Sequence, residues 1–226
     1  MQRRGLVLGV MGGAAGCAAG SALPARAQAR GLPVPPSGEL RFQILRNGTP
    51  VGEHHLYFTQ NGNRLRVDLA AALVVRIAGI PVFHYKADAC EHWEGGQFCG
   101  VASKVDHNGA RLQVLASPIA DGFAIASTKA GDYDYTGSPP MMPLTYWNKA
   151  MLESMILNIE TGRHYPAIVK SPGWNYLTSA EGERLVAQRF DISGKLHLSV
   201  WYDQYGQWAG LQFYVDGDVT FRKFVT

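Results

Sequence analysis

The stretch from Gly38 to Asn63, GELRFQILRNGTPVGEHHLYFTQNGN, decides the fold, because it holds two extended segments that each end in a tight-turn signal. Phe42 and Ile44 alternate with polar neighbours, which is the period of a strand with one buried face. Asn47-Gly48 and Asn61-Gly62 tolerate the positive φ angles that short hairpin loops require. The stretch therefore predicts an antiparallel hairpin as the first unit of a β-rich fold.

Turn signals of the same kind recur between runs of β-branched and aromatic residues, and they predict a long antiparallel meander. A first set of strands is predicted at about 39–47, 51–60, 64–76, 82–93, 96–105, 110–116 and 122–128. A second set is predicted at about 164–170, 184–192, 195–204, 208–215 and 218–224.

Residues 145–157 interrupt the β pattern. After the proline-rich break at 139–143, apolar side chains recur at steps of three and four residues, which predicts an amphipathic helix. A lone helix needs a sheet to bury its apolar face. The predicted fold class is therefore mainly β: a curved antiparallel meander, or half-open barrel, packed over this one main helix.

The first 29 residues have the features of a secretory signal peptide. Arg3 and Arg4 precede a short apolar run, and small residues at Ala27 and Ala29 predict cleavage after Ala29. Residues 30–37 then form an extended, proline-rich lead-in, and 38–226 form a single β-rich domain. The expected location is the periplasm or the outside of the cell.

The type of export signal stays open at this point. The paired arginines, followed by Gly5-Leu6-Val7, resemble a twin-arginine signal, but they also fit the positive end of an ordinary Sec signal. Ala14-Ala15-Gly16-Cys17 resembles a lipoprotein cleavage box. Membrane attachment is expected only if Cys17 is lipidated.

Charge excludes one class of partner. The chain carries 21 Lys and Arg against 18 Asp and Glu, and three of the arginines lie in the signal, which has no acidic residue. The processed chain therefore has a net charge of zero. Without a basic field, no nucleic-acid partner is expected.

The two remaining cysteines predict a disulfide. A two-residue loop at Glu94-Gly95 would set Cys90 opposite Cys99 at a non-hydrogen-bonded pair, where Cα atoms lie ~4.5 Å apart. An oxidising compartment would favour the bond. A zinc site that joins Cys90 with His84 and His92 is the competing interpretation, but no metal-ligand spacing supports it, so no metal is expected. The adjacent His54 and His55 would point to opposite faces of a strand and could not share an ion.

Motifs for covalent catalysis or for nucleotide cofactors do not occur in the sequence, so no cofactor is expected. An acid–base enzyme remains as the alternative. Asp132 and Asp134, two residues apart in a loop, or His84, would supply the chemistry of a hydrolase that acts on envelope material.

Aromatic and amide side chains around residues 135–151 are the candidates for ligand binding. Tyr135, Tyr146, Trp147, Asn148 and Met151 combine an adaptable apolar lining with one amide that could orient a ligand. The competing interpretation is that these side chains only pack the core.

Four motifs carry a resemblance to known proteins: Glu91-x-Trp93, Thr145-Tyr-Trp147-Asn148, Thr161-Gly162 and Trp201-Tyr202-Asp203. From Gly38 onward the chain resembles a family of exported bacterial proteins known only as a domain of unknown function. It is also similar in architecture to periplasmic lipoprotein carriers, in which a curved sheet covers a helix and an apolar cavity. The predicted curved sheet over a helix, the aromatic-rich composition and the missing catalytic motifs favour a non-enzymatic periplasmic protein that binds an apolar or lipid-like ligand or assists envelope assembly. A structural or interaction module is a third hypothesis.

Overall fold

A computed structural model describes residues 31–215 and 217–225. Thirteen strands form one antiparallel sheet, with the spatial order β12-β13-β14-β15-β16-β1-β2-β3-β4-β5-β6-β7-β8. Its strands are β1 Glu39–Arg46, β2 Thr49–Asn61, β3 Arg64–Ile77, β4 Ile80–Glu94, β5 Gln97–His107, β6 Ala110–Ile119, β7 Gly122–Ser127, β8 Tyr133–Tyr135, β12 Ile168–Thr178, β13 Arg184–Ser193, β14 Leu198–Tyr202, β15 Trp208–Tyr214 and β16 Asp218–Lys223. The mainly β fold class is confirmed.

Tight turns account for the meander. The central residues of three hairpins all have positive φ: Asn47 and Gly48, Ala78 and Gly79, and Asn108 and Gly109. That conformation gives a two-residue loop the twist of its flanking strands, so each strand pairs with the next in the chain. Pairing of β16 with β1 joins the two halves of the meander into one sheet.

One face of the sheet is buried and the other is polar. Along β4, the side chains of Ala87, Ala89, Glu91 and Trp93 point inward, and those of the alternate residues are exposed or half-buried. The inner face packs against residues 141–159, which we call the interior segment. It contains β9 Met141–Pro143, a 3₁₀ helix at Lys149–Glu153 and β10 Met155–Leu157.

The predicted α-helix at 145–157 is wrong. Tyr146 has a φ of 68°, which an α-helix does not allow, and the 3₁₀ helix is only five residues long. Asn148 caps its start, and Ser154 is extended and ends it. The chain then continues as β10, which pairs in parallel with β9 and antiparallel with β11, His164–Pro166.

The predicted disulfide is also not found, because the hairpin has a different register. The loop residues are Gly95 and Gly96, both with positive φ, and Glu94 pairs with Gln97. A bulge at Cys99 then shifts the pairing, so that Cys90 lies opposite Ala102. Cys90 and Cys99 are both free thiols.

The predicted signal peptide, its cleavage site after Ala29 and Cys17 all lie outside the described residues. In the lead-in, Leu32 and Val34 are half-buried against the core. Within residues 31–215 and 217–225, no helix is long and apolar enough to cross a membrane.

A thiol titration tests the register. We expect two thiols per chain for protein that lacks residues 1–29, unfolded in the absence of reductant, because the bulge separates Cys90 from Cys99. The measurement is reaction with a chromogenic disulfide reagent, with fully reduced protein as the reference. A result of zero thiols would show that Cys90 and Cys99 form the disulfide that the sequence predicts.

Candidate functional site

The most unusual polar group in the core is the carboxylate of Glu91, which is fully buried on β4. Its Oε2 accepts hydrogen bonds from two indoles, Trp93 Nε1 at 2.8 Å and Trp147 Nε1 at 3.0 Å. Its Oε1 is also buried and has no partner of normal hydrogen-bond geometry among the described residues. Glu91 thus links the sheet to the interior segment.

Burial sets the proton affinity of this group. Removal from water disfavours the charged form and raises the pKa of Glu91 to about 7, although polar contacts from Thr145, Trp147 and Trp93 lower it. The motifs Glu91-x-Trp93 and Thr145-Tyr-Trp147-Asn148 thus meet at the Glu91 carboxylate. Since the carboxylate is inaccessible to solvent, their common role is to hold the interior segment in place.

His54 is a second buried titratable group. It lies on the inner face of β2 among the rings of Phe42, Trp208 and Phe221. Burial, together with the nearby His55, lowers the pKa of His54 to about 3, so the imidazole is neutral. His55 contacts Glu53 on the opposite face, which confirms that the two side chains point to opposite faces of the strand.

The predicted ligand-binding residues lie in or beside the core. Trp147 and Met151 are fully buried, Asn148 accepts a hydrogen bond from the Ala150 N–H, and Tyr135 donates to the Pro139 carbonyl oxygen. The Tyr146 ring packs against Trp208. The structure brings these side chains to one face of the sheet but packs them against the chain itself. Their role in ligand binding stays a prediction.

The candidate catalytic residues are not assembled into one site. His84 contacts Asp106, with 3.2 Å between Nε2 and Oδ1, at the end of the sheet that holds the β5–β6 turn. Asp132 accepts a hydrogen bond from the Ser127 N–H, and Asp134 is exposed on β8. No group of three or more His, Cys, Asp or Glu residues in the described parts of the chain is arranged to hold a metal ion.

An open groove of about 860 Å³ lies on the outer face of the sheet, across β2 to β7. The strand register explains its composition, because residues in register form rows across the sheet. One row contains Tyr57, Asp68, Cys90, Ala102, Leu115 and Ala126, and the next contains Ala70, Asp88, Lys104 and Gln113. We call this feature the outer groove.

Small side chains form the floor of the outer groove. Ala70, Ala102 and Ala126 leave room above the backbone, while Tyr57 and Leu115 supply exposed apolar surface. The volume falls within the ~300–1,000 Å³ that is typical of small-molecule sites. Sequence reasoning did not identify the groove as a site, although Asp132, one of its candidate acid–base residues, lies in the lining. Alanines at outward-facing strand positions were a readable signal.

Charged groups lie along the outer groove. Asp68 forms an ion pair with Arg66 at 2.7 Å and Asp88 with Lys86 at 3.2 Å, while Lys104 pairs in register with Asp88. Burial and, next, Asp68 raise the pKa of the Cys90 thiol, so it is protonated at neutral pH.

Comparisons with known proteins place the fold but not the activity. A family model described as "Domain of unknown function (DUF6134)" matches residues 42–223. No curated protein matches the chain. The chain is similar to the crystal structure of a "Beta-barrel-like Protein of Domain of Unknown Function DUF1849 from Brucella abortus", with a TM-score of 0.58 and 8% identity over 82% of this chain and 94% of that one. At this identity, the likeness to the Brucella abortus structure concerns the fold alone.

Substitution of Glu91 by Gln tests the buried carboxyl. Glu91 has a higher pKa in the native state than its ordinary 4.5, so its contribution to stability is complete below pH 4.5 and is lost as the pH rises to about 7. We therefore expect the unfolding free energy of the variant, minus that of the wild type, to increase by about 3 kcal/mol between pH 4.5 and 7. Urea denaturation at several pH values measures it.

The difference between the two proteins is needed because His54 acts in the opposite direction. Its lowered pKa makes the native state lose stability as the pH falls from about 6.5 to 3, in both proteins alike. Glu94→Gln, which removes an exposed carboxylate that pairs with Arg64 from the same strand, is the matched control for the loss of a carboxyl group. If the difference in unfolding free energy between Glu91→Gln and the wild type did not change with pH, the raised pKa of Glu91 would be contradicted.

Proposed function

The chain belongs to the DUF6134 family, and from this premise we propose that it is a non-enzymatic binding protein that holds an elongated amphiphile in the outer groove. The observation that carries the proposal is the shape of the groove. A floor of alanine side chains lies between larger side chains on the polar face of a sheet that is otherwise well packed.

The chemistry of the lining favours an amphiphile. Tyr57, Leu115 and the alanine floor would remove an acyl or similar chain from water, which is favourable in proportion to the apolar area buried. Asp88 and Lys104 would face the polar end of the ligand. Within the same groove, therefore, one part suits an apolar chain and another suits a head group.

The interior of the sheet is a less suitable place for such a ligand. Trp147, Met151 and Ile156 occupy the inner side, and all three are almost completely buried. A ligand there would have to displace the interior segment and break the hydrogen bond from Trp147 to Glu91. The expected export signal at 1–29 would place the protein in the periplasm or outside the cell, where envelope amphiphiles occur.

A matched pair of tryptophan substitutions tests the proposal. Ala102→Trp fills the groove floor, whereas Ala72→Trp adds the same side chain at an exposed position on β3 that does not line the groove. With a dansyl-labelled undecanoic acid as the probe, we expect Ala102→Trp to weaken binding by about tenfold or more, since it excludes the chain from the floor. Fluorescence titration measures the change, and Ala72→Trp should bind like the wild type.

Alkylation of the cysteines gives a second measurement on the wild-type protein. Cys90 lines the groove and Cys99 does not, so bound probe should slow alkylation of Cys90 but not of Cys99. Peptide mass spectrometry distinguishes the two sites. Equal probe affinity in both tryptophan variants, or unprotected Cys90 at saturating probe, would overturn the proposal.

A further inference from the structure

We infer that the tip of the β3–β4 hairpin inserts into the lipid–water interface of an anionic membrane. The inference does not depend on the outer groove. It rests on three observations: the end of this hairpin extends beyond the neighbouring described strands, its large exposed side chains are mostly aliphatic, and the charged residue nearest its tip is Arg76.

The end of the hairpin is a two-stranded ribbon without strand neighbours. Pairing of β3 with β2 stops at Leu73, opposite Gly52, and pairing of β4 with β5 stops at Tyr85, opposite His107. Beyond these points β3 and β4 pair, among the described strands, only with each other, as far as Ile77 and Ile80. One further backbone hydrogen bond, from the Asn108 N–H to the His84 carbonyl oxygen, ties the base of the ribbon to the β5–β6 turn. From Leu73 to Ile77 the ribbon is ~13 Å long at the usual strand rise.

Large aliphatic side chains are exposed along this ribbon. The exposed fraction is 64% for Ile77 and 66% for Ile80, with 48% for Val82 and 36% for Val74. Ala78 and Gly79 make the turn between them, so the tip from Ile77 to Val82 contains no charged residue. Exposed aliphatic side chains grouped at one end of a hairpin mark a candidate site of contact with a membrane or another protein.

Local charge favours an anionic surface. Residues 69–87 contain Arg76, His84 and Lys86 but no aspartate or glutamate. Arg76 is exposed next to the tip, where its long side chain could reach head groups while its methylene groups remain near the acyl region.

The acidic groups that face this region from adjacent elements already have partners. Asp106 contacts His84 and the Gly109 N–H, and Glu160 contacts His107. Lys86 pairs with Asp88, and Glu53 lies near Arg41 and His55. The cation closest to the tip in sequence, Arg76, has no acidic residue within seven positions on either side. A basic side chain near a membrane surface gains attraction to anionic lipid.

The type of side chain distinguishes a membrane from a protein partner. Energetically dominant residues of protein interfaces are enriched in Trp, Tyr and Arg, which combine area with directional polar groups. The tip offers only Ile, Val, Ala, Gly and Pro, which contribute non-directional burial. Interfacial insertion reaches ~5–10 Å into the head-group and acyl boundary, a depth that the ribbon can supply.

Vesicle flotation tests the inference with residues 30–226, which include every described strand of both sheets. The variant Ile77→Ser/Ile80→Ser removes the apolar tip. The matched control Ile168→Ser/Val186→Ser changes two other exposed aliphatic residues, on β12 and β13 at the far edge of the sheet. Vesicles consist of phosphatidylethanolamine with one quarter phosphatidylglycerol, or of phosphatidylcholine alone.

We expect the wild type and the control to float with the anionic vesicles and the tip variant to show at least about fivefold weaker partitioning, since both large aliphatic anchors are gone. Arg76→Gln should reduce partitioning on the anionic vesicles and leave it unchanged on phosphatidylcholine. Circular dichroism checks that each variant is folded.

Three results would overturn the inference. The wild type could fail to float with anionic vesicles, or the tip variant could float as well as the wild type. The third result would come from sedimentation without vesicles. If the wild type formed a dimer that the tip variant did not form, and neither protein bound vesicles, the tip would be a contact between two copies of the chain.

Discussion

The hydrogen bonds that Glu91 accepts from Trp93 and Trp147 are the interaction on which the arrangement of the core depends. One indole comes from the sheet and the other from the interior segment, so a single oxygen atom fixes their relative position. A buried polar group is tolerated only if it is hydrogen-bonded, because the cost of desolvation is otherwise uncompensated. Misplacement of the interior segment would leave the carboxyl with fewer donors, which disfavours alternative packings.

Further contacts hold the same segment across the width of the sheet. Ser103 on β5 donates to the carbonyl oxygen of Ile159, and Tyr202 on β14 donates to that of Tyr146. These bonds satisfy backbone groups of a segment that has little regular secondary structure. They explain how an irregular chain can occupy the position that a helix was expected to fill. The sheet thus packs around its own chain, which leaves the outer face as the place for an open groove.

The meander was predictable because its signals are local. Asn47-Gly48 and Asn108-Gly109 fix hairpin loops through the backbone conformations that their residue types allow, and alternation then assigns a face to each strand. The interior segment was not predictable in this way. Side chains buried on several sides also recur at short intervals, so the spacing of Trp147, Met151 and Ile156 could not separate a helix from a buried irregular segment.

The predicted register of the β4–β5 hairpin, which carries Cys90 and Cys99, was wrong for a different reason. The sequence predicts a loop at Glu94-Gly95, but Gly95-Gly96 supplies positive φ at both central positions, and the bulge at Cys99 adds a second shift in register. Each shift moves every later pair, so an error at one turn changed the partner of Cys90. The candidate site had the same dependence. The outer groove consists of two rows of residues in register, the longer of which crosses six strands, and none of its members is close to all the others in sequence.

The outer groove and the hairpin tip share β3 and β4, yet their separation makes them independent. Ala70 in the groove and Ile77 at the tip are seven residues apart on β3, which is ~23 Å along a strand. A tip inserted to ~5–10 Å would therefore leave the groove outside the membrane if the strands stand upright on it. An amphiphile in the groove would then be clear of the bilayer while the protein remains attached. Loss of the aliphatic tip should weaken membrane attachment without changing the affinity of the groove for an amphiphile. The reason is that Ala70 and Asp88, the groove residues nearest the tip on β3 and β4, lie outside the two-stranded ribbon.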